Sequence, residues 1–153
     1  MKVLIVHNFY QQSGGEDAVV INEMNLLKSH GHEVTLFSVH NDDIKTIAQK
    51  VSTALGTVYN FRTKKALQQV LRENRPDVMH VHNFFPLLSP SIFDASSAEH
   101  IPAVLTLHNF RILCPTGFLY HDGKIVERSL GKGPWWTLFQ RTYRGSFLGT
   151  LIT

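Results

Sequence analysis

Four short stretches carry the residues best suited to chemistry, and they share a spelling. Val-Leu-Ile-Val runs into His7-Asn8, Leu-Phe-Ser-Val into His40-Asn41, Val-Met-His-Val into His82-Asn83, and Val-Leu-Thr-Leu into His108-Asn109. Neutral imidazole and carboxamide groups both donate and accept hydrogen bonds, so they suit hydroxyl-rich and phosphate-bearing ligands. A lone histidine at a strand end is more often structural than functional. Four at equivalent positions ask for a common rim. Each apolar run reads as a strand buried on both faces, as in a parallel sheet. If all four are parallel, their carboxyl ends share one edge, and open α/β sheets bind ligands there, where strand order reverses.

The loop Tyr10-Gln-Gln-Ser-Gly14-Gly15-Glu16 leads from the first of these strands into a helix start. Two glycines let a ligand approach the backbone, and free N–H groups at a helix amino terminus suit an anion. The spelling is neither G-x-G-x-x-G nor a Walker loop. The competing reading is that the glycines serve only a tight turn.

His30, His32 and His100 fall at helix ends or turns and are expected at the surface. His80 and His82 share one face of their strand, because side chains alternate. Several histidines on a rim could hold zinc. None has H-x-x-x-H or H-E-x-x-H spacing, and Asn is a poor zinc ligand, so no metal is expected for the reaction.

The elements that must position these groups alternate along the chain. Strands are expected at Lys2–Asn8, Glu33–Val39, Gly56–Phe61 (short, at the sheet edge), Asp77–Asn83 and Pro102–Asn109. Helices are expected from Ser13–Glu16 to about His30, at Asp42–Leu55, at Thr63–Asn74 and at Pro90–Glu99. Ser13-x-x-Glu16 spells a capping box for the first helix, and Asp17 also suits its positive end. Val20, Met24 and Leu27 form its buried stripe, and Ala66, Leu67, Val70 and Leu71 that of the Thr63–Asn74 helix. Such alternation predicts a Rossmann-like doubly wound parallel sheet. From Arg111 the pattern changes: Ile112–Arg128 suggests a small hairpin with Cys114-Pro115-Thr116-Gly117 and His121-Asp122-Gly123-Lys124 turns. A helix opening at Gly133-Pro134 and running to Thr153 would align Trp136, Phe139, Tyr143, Phe147 and Leu151. A Rossmann-like unit would next supply another strand, so the chain is expected to be a fragment or a domain of a longer protein.

The 153 residues suit one domain of ordinary size, burying roughly 70% of its unfolded surface. A single cysteine, Cys114, excludes an internal disulfide, and no apolar run is long enough to span a bilayer or to form a secretory leader, so a cytoplasmic location is expected. Charge is uneven. Nine Lys/Arg face ten Asp/Glu up to Phe110, then six face two from Arg111 onward. The basic end could meet phosphates, nucleic acid or an anionic membrane, or be a solvated face; peripheral membrane contact is the partner carried forward, and no nucleic acid is expected.

Taken together, Val-Leu-Ile-Val-His-Asn with Gly14-Gly15-Glu16, Gly31-His32-Glu33-Val34, Arg75-Pro76-Asp77-Val78-Met79-His80-Val81-His82-Asn83 and Thr106-Leu107-His108-Asn109 resemble the amino-terminal half of a GT-B fold. The likeness is to glycosyltransferase family 4, the "group 1" transferases, and covers essentially the whole chain. Leu113-Cys114-Pro115 through His121-Asp122-Gly123-Lys124 and Trp135-Trp136 look like one subgroup. Related sequences often show a Cys pair near Val126 and Ser129, and this chain has neither.

The resemblance implies a retaining transfer of sugar from a nucleotide-sugar donor to a hydroxyl acceptor, a glycan or a lipid-linked saccharide, with no cofactor and no required metal. It implies a single acceptor-side domain over residues 1–153, the nucleotide-sugar domain and its Glu-x7-Glu signature lying outside the sequence, so the fragment alone is expected to be inactive. By position, Gly14 and Gly15 match the glycine loop beside the donor diphosphate, and His108 matches the His that orients the transferring sugar. Glu16, His82, Asn83 and Asn109 would line the acceptor side. An exposed partner-facing surface led by Phe84, Phe85, Trp135, Trp136 and Phe147 would favour self-association. Two rivals remain: a His-rich metal-dependent hydrolase, marked by zinc-dependent stabilisation, and a non-catalytic flavodoxin-like module, which should be complete at this length.

Overall fold

The computed structural model describes residues 1–10, 12, 14–40 and 56–153, which form two compact units, Met1–Thr106 and Leu107–Thr153. In the first unit, strands β1 (Lys2–Phe9), β2 (Glu33–His40), β3 (Val78–Asn83) and β4 (Ala103–Leu105) make one parallel sheet in the order β2-β1-β3-β4. The chain lays β2 on one side of β1, then crosses to lay β3 on the other. Strand order therefore reverses between β1 and β3, the position at which such sheets take ligands.

Both faces of the sheet are covered, which is why β1 buries every residue from Val3 to Asn8. Leu4 and Val6 of β1 and Met79 and Val81 of β3 point to one face. There they pack with Leu67 and Leu71 of helix α2 (Phe61–Asn74), with Leu88, and with Ile92 and Ala95 of helix α3 (Ser91–Ala98). Val3 and Ile5 point the other way, against Val20 of helix α1 (Gly15–Ser29), with Met24, Leu27, Val34 and Val78 around them. The period-2 alternation of two strands thus feeds two separate cores. The doubly wound, Rossmann-like expectation holds.

Four details of the first unit differ from the sequence expectation or fall outside it. Gly56–Phe61 is not an edge strand: Gly56–Val58 is a helical turn and Asn60 caps α2. Asn60 Oδ1 accepts from the N–H groups of Arg62 and Thr63, both at 3.1 Å, its own N–H donates to Ser89 Oγ at 2.9 Å, and its carbonyl accepts from Ser91 Oγ. Its backbone and side-chain groups are committed to a cap, leaving none for a ladder. Pro102–Asn109 pairs only over Ala103–Leu105, with Thr106 N–H still donating to Val81 O at 2.9 Å. Ala66 is exposed, so the inward stripe of α2 is Leu67, Val70 and Leu71. The helix expected at Asp42–Leu55, Asn41 and the Ser13 cap lie outside the described residues.

The second unit contains a two-stranded antiparallel hairpin, β5 (Tyr120–His121) and β6 (Lys124–Ile125), and three short helices, α4 (Arg128–Lys132), α5 (Trp136–Gln140) and α6 (Phe147–Ile152). Asp122 and Gly123 both have positive φ, 49° and 78°, as the mirror-image turn of a two-residue hairpin requires. The single helix expected from Gly133 to Thr153 is broken. Arg141, Arg144 and Gly145 take left-handed conformations, and Ser146 starts α6 by accepting the Gly149 N–H on its hydroxyl. Thr150 Oγ1 accepts from the Tyr143 N–H at 3.0 Å, a side-chain bond in place of the helical ladder. Consequently Trp136, Phe139, Tyr143, Phe147 and Leu151 do not form one face: Trp136 and Tyr143 are half-buried, while Phe139 is 82% exposed.

Candidate functional site

The carboxyl ends of β1 and β3 are tied together by their asparagines. Asn83 Nδ2 donates to the Asn8 carbonyl at 2.9 Å, and Asn83 Oδ1 accepts the Phe85 N–H at 3.1 Å. Asn8 Oδ1 in turn accepts the Leu87 N–H at 3.2 Å. Two strand-end carboxamides therefore shape the loop after β3 at the switch point. Asn83, expected to line the acceptor side, is buried and spends its side-chain polar atoms on the β1 backbone and that loop.

His7 turns towards α1. Its Nε2 lies 2.7 Å from Asp17 Oδ1, both side chains being buried, and Asp17 Oδ2 accepts the Gly14 N–H at 3.1 Å. Burial holds the His7 imidazole below its ordinary pKa, and the Asp17 hydrogen bond and charge only partly oppose this. Its Nδ1 is buried without a hydrogen-bond partner among the described residues. The Asp17 carboxylate reaches back over the first turn of α1, from the third helical position after the Gly14 cap. Sequence reasoning saw Asp17 only as a complement to the helix dipole. Its spacing from Gly14 was the available signal.

Gly14 caps α1 with φ −113° and ψ −178°, and Gly15 is the first helical residue. Neither has a positive φ, and a Cβ at either would meet no heavy atom of the described residues within 4 Å. Among the described residues, neither backbone conformation nor crowding demands glycine here. Glu16 sits half-buried in the same first turn.

On β3, His80 and His82 do share a face, with ring centroids 4.3 Å apart. Both meet Glu23 of α1, His80 Nδ1 at 2.7 Å from Oε1 and His82 Nε2 at 3.6 Å from Oε2. His80 Nε2 also lies 2.7 Å from Thr106 Oγ1. His82 stands edge-on to His7 with centroids 6.3 Å apart, and His40 stacks on Phe9 at 4.9 Å. His7 and His82 are thus neighbours as expected, but both lie under α1 rather than open on a rim. Glu23, His80 and His82 are the described group with metal-ligand geometry. Glu23 carried no signal in the sequence. His30 and His100 are exposed and His32 half-buried.

His108 and Asn109 belong to the second unit, beyond the last paired residue of β4. His108 is half-buried. Asn109 Oδ1 accepts the Arg111 N–H at 3.0 Å, and Phe110 N–H donates to the Gly117 carbonyl at 2.9 Å. Arg111 Nη1 donates to the Pro115 carbonyl at 2.9 Å, so the Cys114 turn is closed by Asn109 and Arg111 together. Ser129 is buried and accepts the Trp136 indole N–H at 2.9 Å. A cleft of about 210 Å³ within this unit, lined by Leu113, Pro134, Trp135, Leu138 and Leu151 among others, is smaller than an ordinary ligand pocket.

No curated protein matches the chain. The sequence profile of Glycosyltransferase Family 4 matches residues 13–146, a span that takes in the Gly14-Gly15 loop, all of β2 and β3, and most of the second unit. With a parallel sheet reversing at β1/β3 and a glycine-capped helix leaving that switch point, the chain belongs to glycosyltransferase family 4 and corresponds to the amino-terminal domain of the GT-B type.

Proposed function

We propose that this chain is the acceptor-side half of a retaining glycosyltransferase that moves a sugar from a nucleotide-diphosphate donor to a hydroxyl acceptor, a glycan or a lipid-linked saccharide. The observation that supports it best is the pair Gly14-Gly15. Among the described residues neither backbone conformation nor crowding requires these glycines, yet they stand where a helix amino terminus offers N–H groups to an anion. Approach of a diphosphate to the bare backbone gives them a reason. His108 would orient the transferring sugar, and Glu16 would border the acceptor. His82, Asn83 and Asn109 would serve by holding the backbone and loops around it. The donor nucleotide would be read by a second domain, so residues 1–153 alone would not turn over, and no metal would take part in the transfer.

The test is donor kinetics of the intact transferase with Gly14→Val and Gly15→Val. Each should raise the donor KM by tenfold or more while leaving circular dichroism unchanged. Unchanged donor KM in both would overturn the assignment of the loop.

A membrane-proximal setting is a second reading, favoured by one feature. Trp135, Phe139 and Leu148 are 69%, 82% and 65% exposed in the same unit as exposed Arg141 and Arg144. Aromatic groups beside cations suit an anionic bilayer interface. No described helix is long and apolar enough to cross a membrane.

A further inference from the structure

Beneath α1 lies a cluster of which Glu23 and His80 have no part in the proposed transfer and His82 only a supporting one. Glu23 comes from α1, and His80 and His82 come from β3. One atom from each, a carboxylate oxygen and two imidazole nitrogens, lies within 4.8 Å of the others. We propose that Glu23, His80 and His82 form a structural binding site for a divalent transition metal of the zinc class, which clamps α1 to the sheet.

Four observations carry this. First, the strand places the two histidines two residues apart on one face, and their rings then converge to 4.3 Å between centroids. The nitrogens turned towards Glu23 are of different kinds, Nδ1 of His80 and Nε2 of His82, so the rings are oriented to a common point rather than merely stacked. Second, the two carboxylate oxygens divide between them, Oε1 at 2.7 Å from His80 and Oε2 at 3.6 Å from His82. Zinc bonds of about 2.0–2.1 Å to nitrogen and 2.0–2.2 Å to oxygen, arranged tetrahedrally, separate ligand atoms by roughly 3.4 Å. One ligand atom from each of the three residues already lies within 4.8 Å of the other two, so closing to that spacing is a matter of side-chain adjustment and not of backbone movement. Third, the far nitrogen of His80 rests on Thr106 Oγ1 at 2.7 Å, the kind of outer partner that fixes the tautomer of a metal-bound imidazole. Fourth, two neutral imidazoles and one carboxylate leave a net charge of −1, which a divalent ion converts to +1.

Two imidazoles and a carboxylate suit zinc, with a fourth position for water. Solvent can reach it past the Glu23 side chain, which is 29% exposed, while His82 is buried. The ion would pin α1 six residues beyond Asp17, on the helix whose first turn carries Gly14 and Gly15. Its role is to hold the helix, and it is independent of the proposed transfer.

The experiment is titration of the untagged, chelator-treated 153-residue chain with Co²⁺ and then Zn²⁺, read by visible absorption and by thermal melting. One Co²⁺ per chain should give the intense bands of a four-coordinate site, Zn²⁺ should displace it, and the melting midpoint should rise. Glu23→Gln and His80→Asn should each weaken Co²⁺ binding by tenfold or more, whereas the double variant His30→Ala/His32→Ala should bind as the parent does. Glu23→Gln keeps shape at a partly exposed position, so it tests the site even if a His82 variant fails to fold. Absence of one-to-one binding, or parent-like binding by folded Glu23→Gln, overturns the proposal.

Discussion

His7 Nε2 and Asp17 Oδ1 meet at 2.7 Å with both side chains out of solvent, and the second oxygen of the same carboxyl takes the Gly14 N–H. A strand end, a helix first turn and the glycine loop between them are therefore joined through one acidic side chain. Gly14, in the loop that we assign to the donor diphosphate, is held to the end of β1 through this carboxyl.

Removing that carboxyl should be felt at once. Asp17→Ala strands a buried imidazole nitrogen and releases the Gly14 N–H, and losing a buried, charge-assisted partner costs about 2–4 kcal/mol. Urea unfolding of the chain should show a midpoint shift of that size with an unchanged slope. A loss below about 0.5 kcal/mol, the level of an ordinary surface substitution, would mean the bond is not holding the loop.

The same pair sets a pH dependence. Burial lowers the His7 pKa in the folded state below its ordinary 6.5, so in the intervening window the unfolded chain binds more protons. Stability from this group is complete above about pH 6.5 and is lost as pH falls below it, levelling off under the lowered folded value. Chemical unfolding midpoints measured from pH 7.5 to pH 5 should fall, and His7→Gln should flatten that part of the curve. Glu99 acts lower down. The Arg72 hydrogen bond holds its carboxyl below the usual range, so its contribution is present above about pH 4.5 and lost beneath it.

Where the sequence was legible, one physical signal sufficed. β1 carries an unbroken apolar run, Val3 to Val6, that is buried on both faces, while β2 and β3 keep enough apolar residues around Thr35, Ser38 and His80 to read as strands. The shared face of His80 and His82 follows from strand alternation alone. Three misses have a common cause, side chains competing with backbone ladders. Asn60 turned an apolar Val58-Tyr59 stretch into a helix cap, Asn109 drew the end of an expected strand into a turn, and Thr150 with Ser146 interrupted the last helix. Asp17 and Glu23 were missed as partners for another reason. Their contacts join residues ten and 57 or more positions apart in sequence, and no local pattern encodes such pairs.

Gly14 and Gly15 should separate fold from function. Because neither site is crowded by any described residue and neither has positive φ, Gly15→Ala should be neutral or slightly stabilising, by up to about 1 kcal/mol, as for glycine replaced in a helix. Thermal melting of both alanine variants measures this. A large loss of stability in either would show that the fold, and not a ligand, selects glycine there.

Gly117 should behave oppositely. Its φ is +79°, and a Cβ would sit 3.6 Å from both Asn109 and Arg111, the two side chains closing the Cys114 turn. Left-handed backbone costs a residue with a Cβ roughly 1–2 kcal/mol. Gly117→Ala should therefore lower stability by about that amount, with local loss of amide protection over residues 109–117 in hydrogen exchange. Protection equal to the parent's would contradict the closure described for this turn.

The membrane reading depends on the second unit keeping its charge beside its exposed rings. Breaking the expected helix removed the continuous apolar face on which an amphipathic-helix anchor would rest, so contact would have to come from separate groups: Trp135 and Phe139 around α5 and Leu148 on α6. Each cation near an anionic surface contributes roughly 1 kcal/mol, about a fivefold change in binding. Co-sedimentation of the intact transferase with anionic vesicles should therefore weaken by at least that factor for each of Arg141→Glu and Arg144→Glu, and should fall with added salt. Phe139→Ser should weaken it without changing the salt dependence. The same rings could instead meet another copy of the chain; sedimentation velocity across a range of concentrations separates the two, since self-association grows with protein concentration and needs no lipid. Vesicle binding that ignores salt and both arginine reversals would remove the electrostatic basis of the reading.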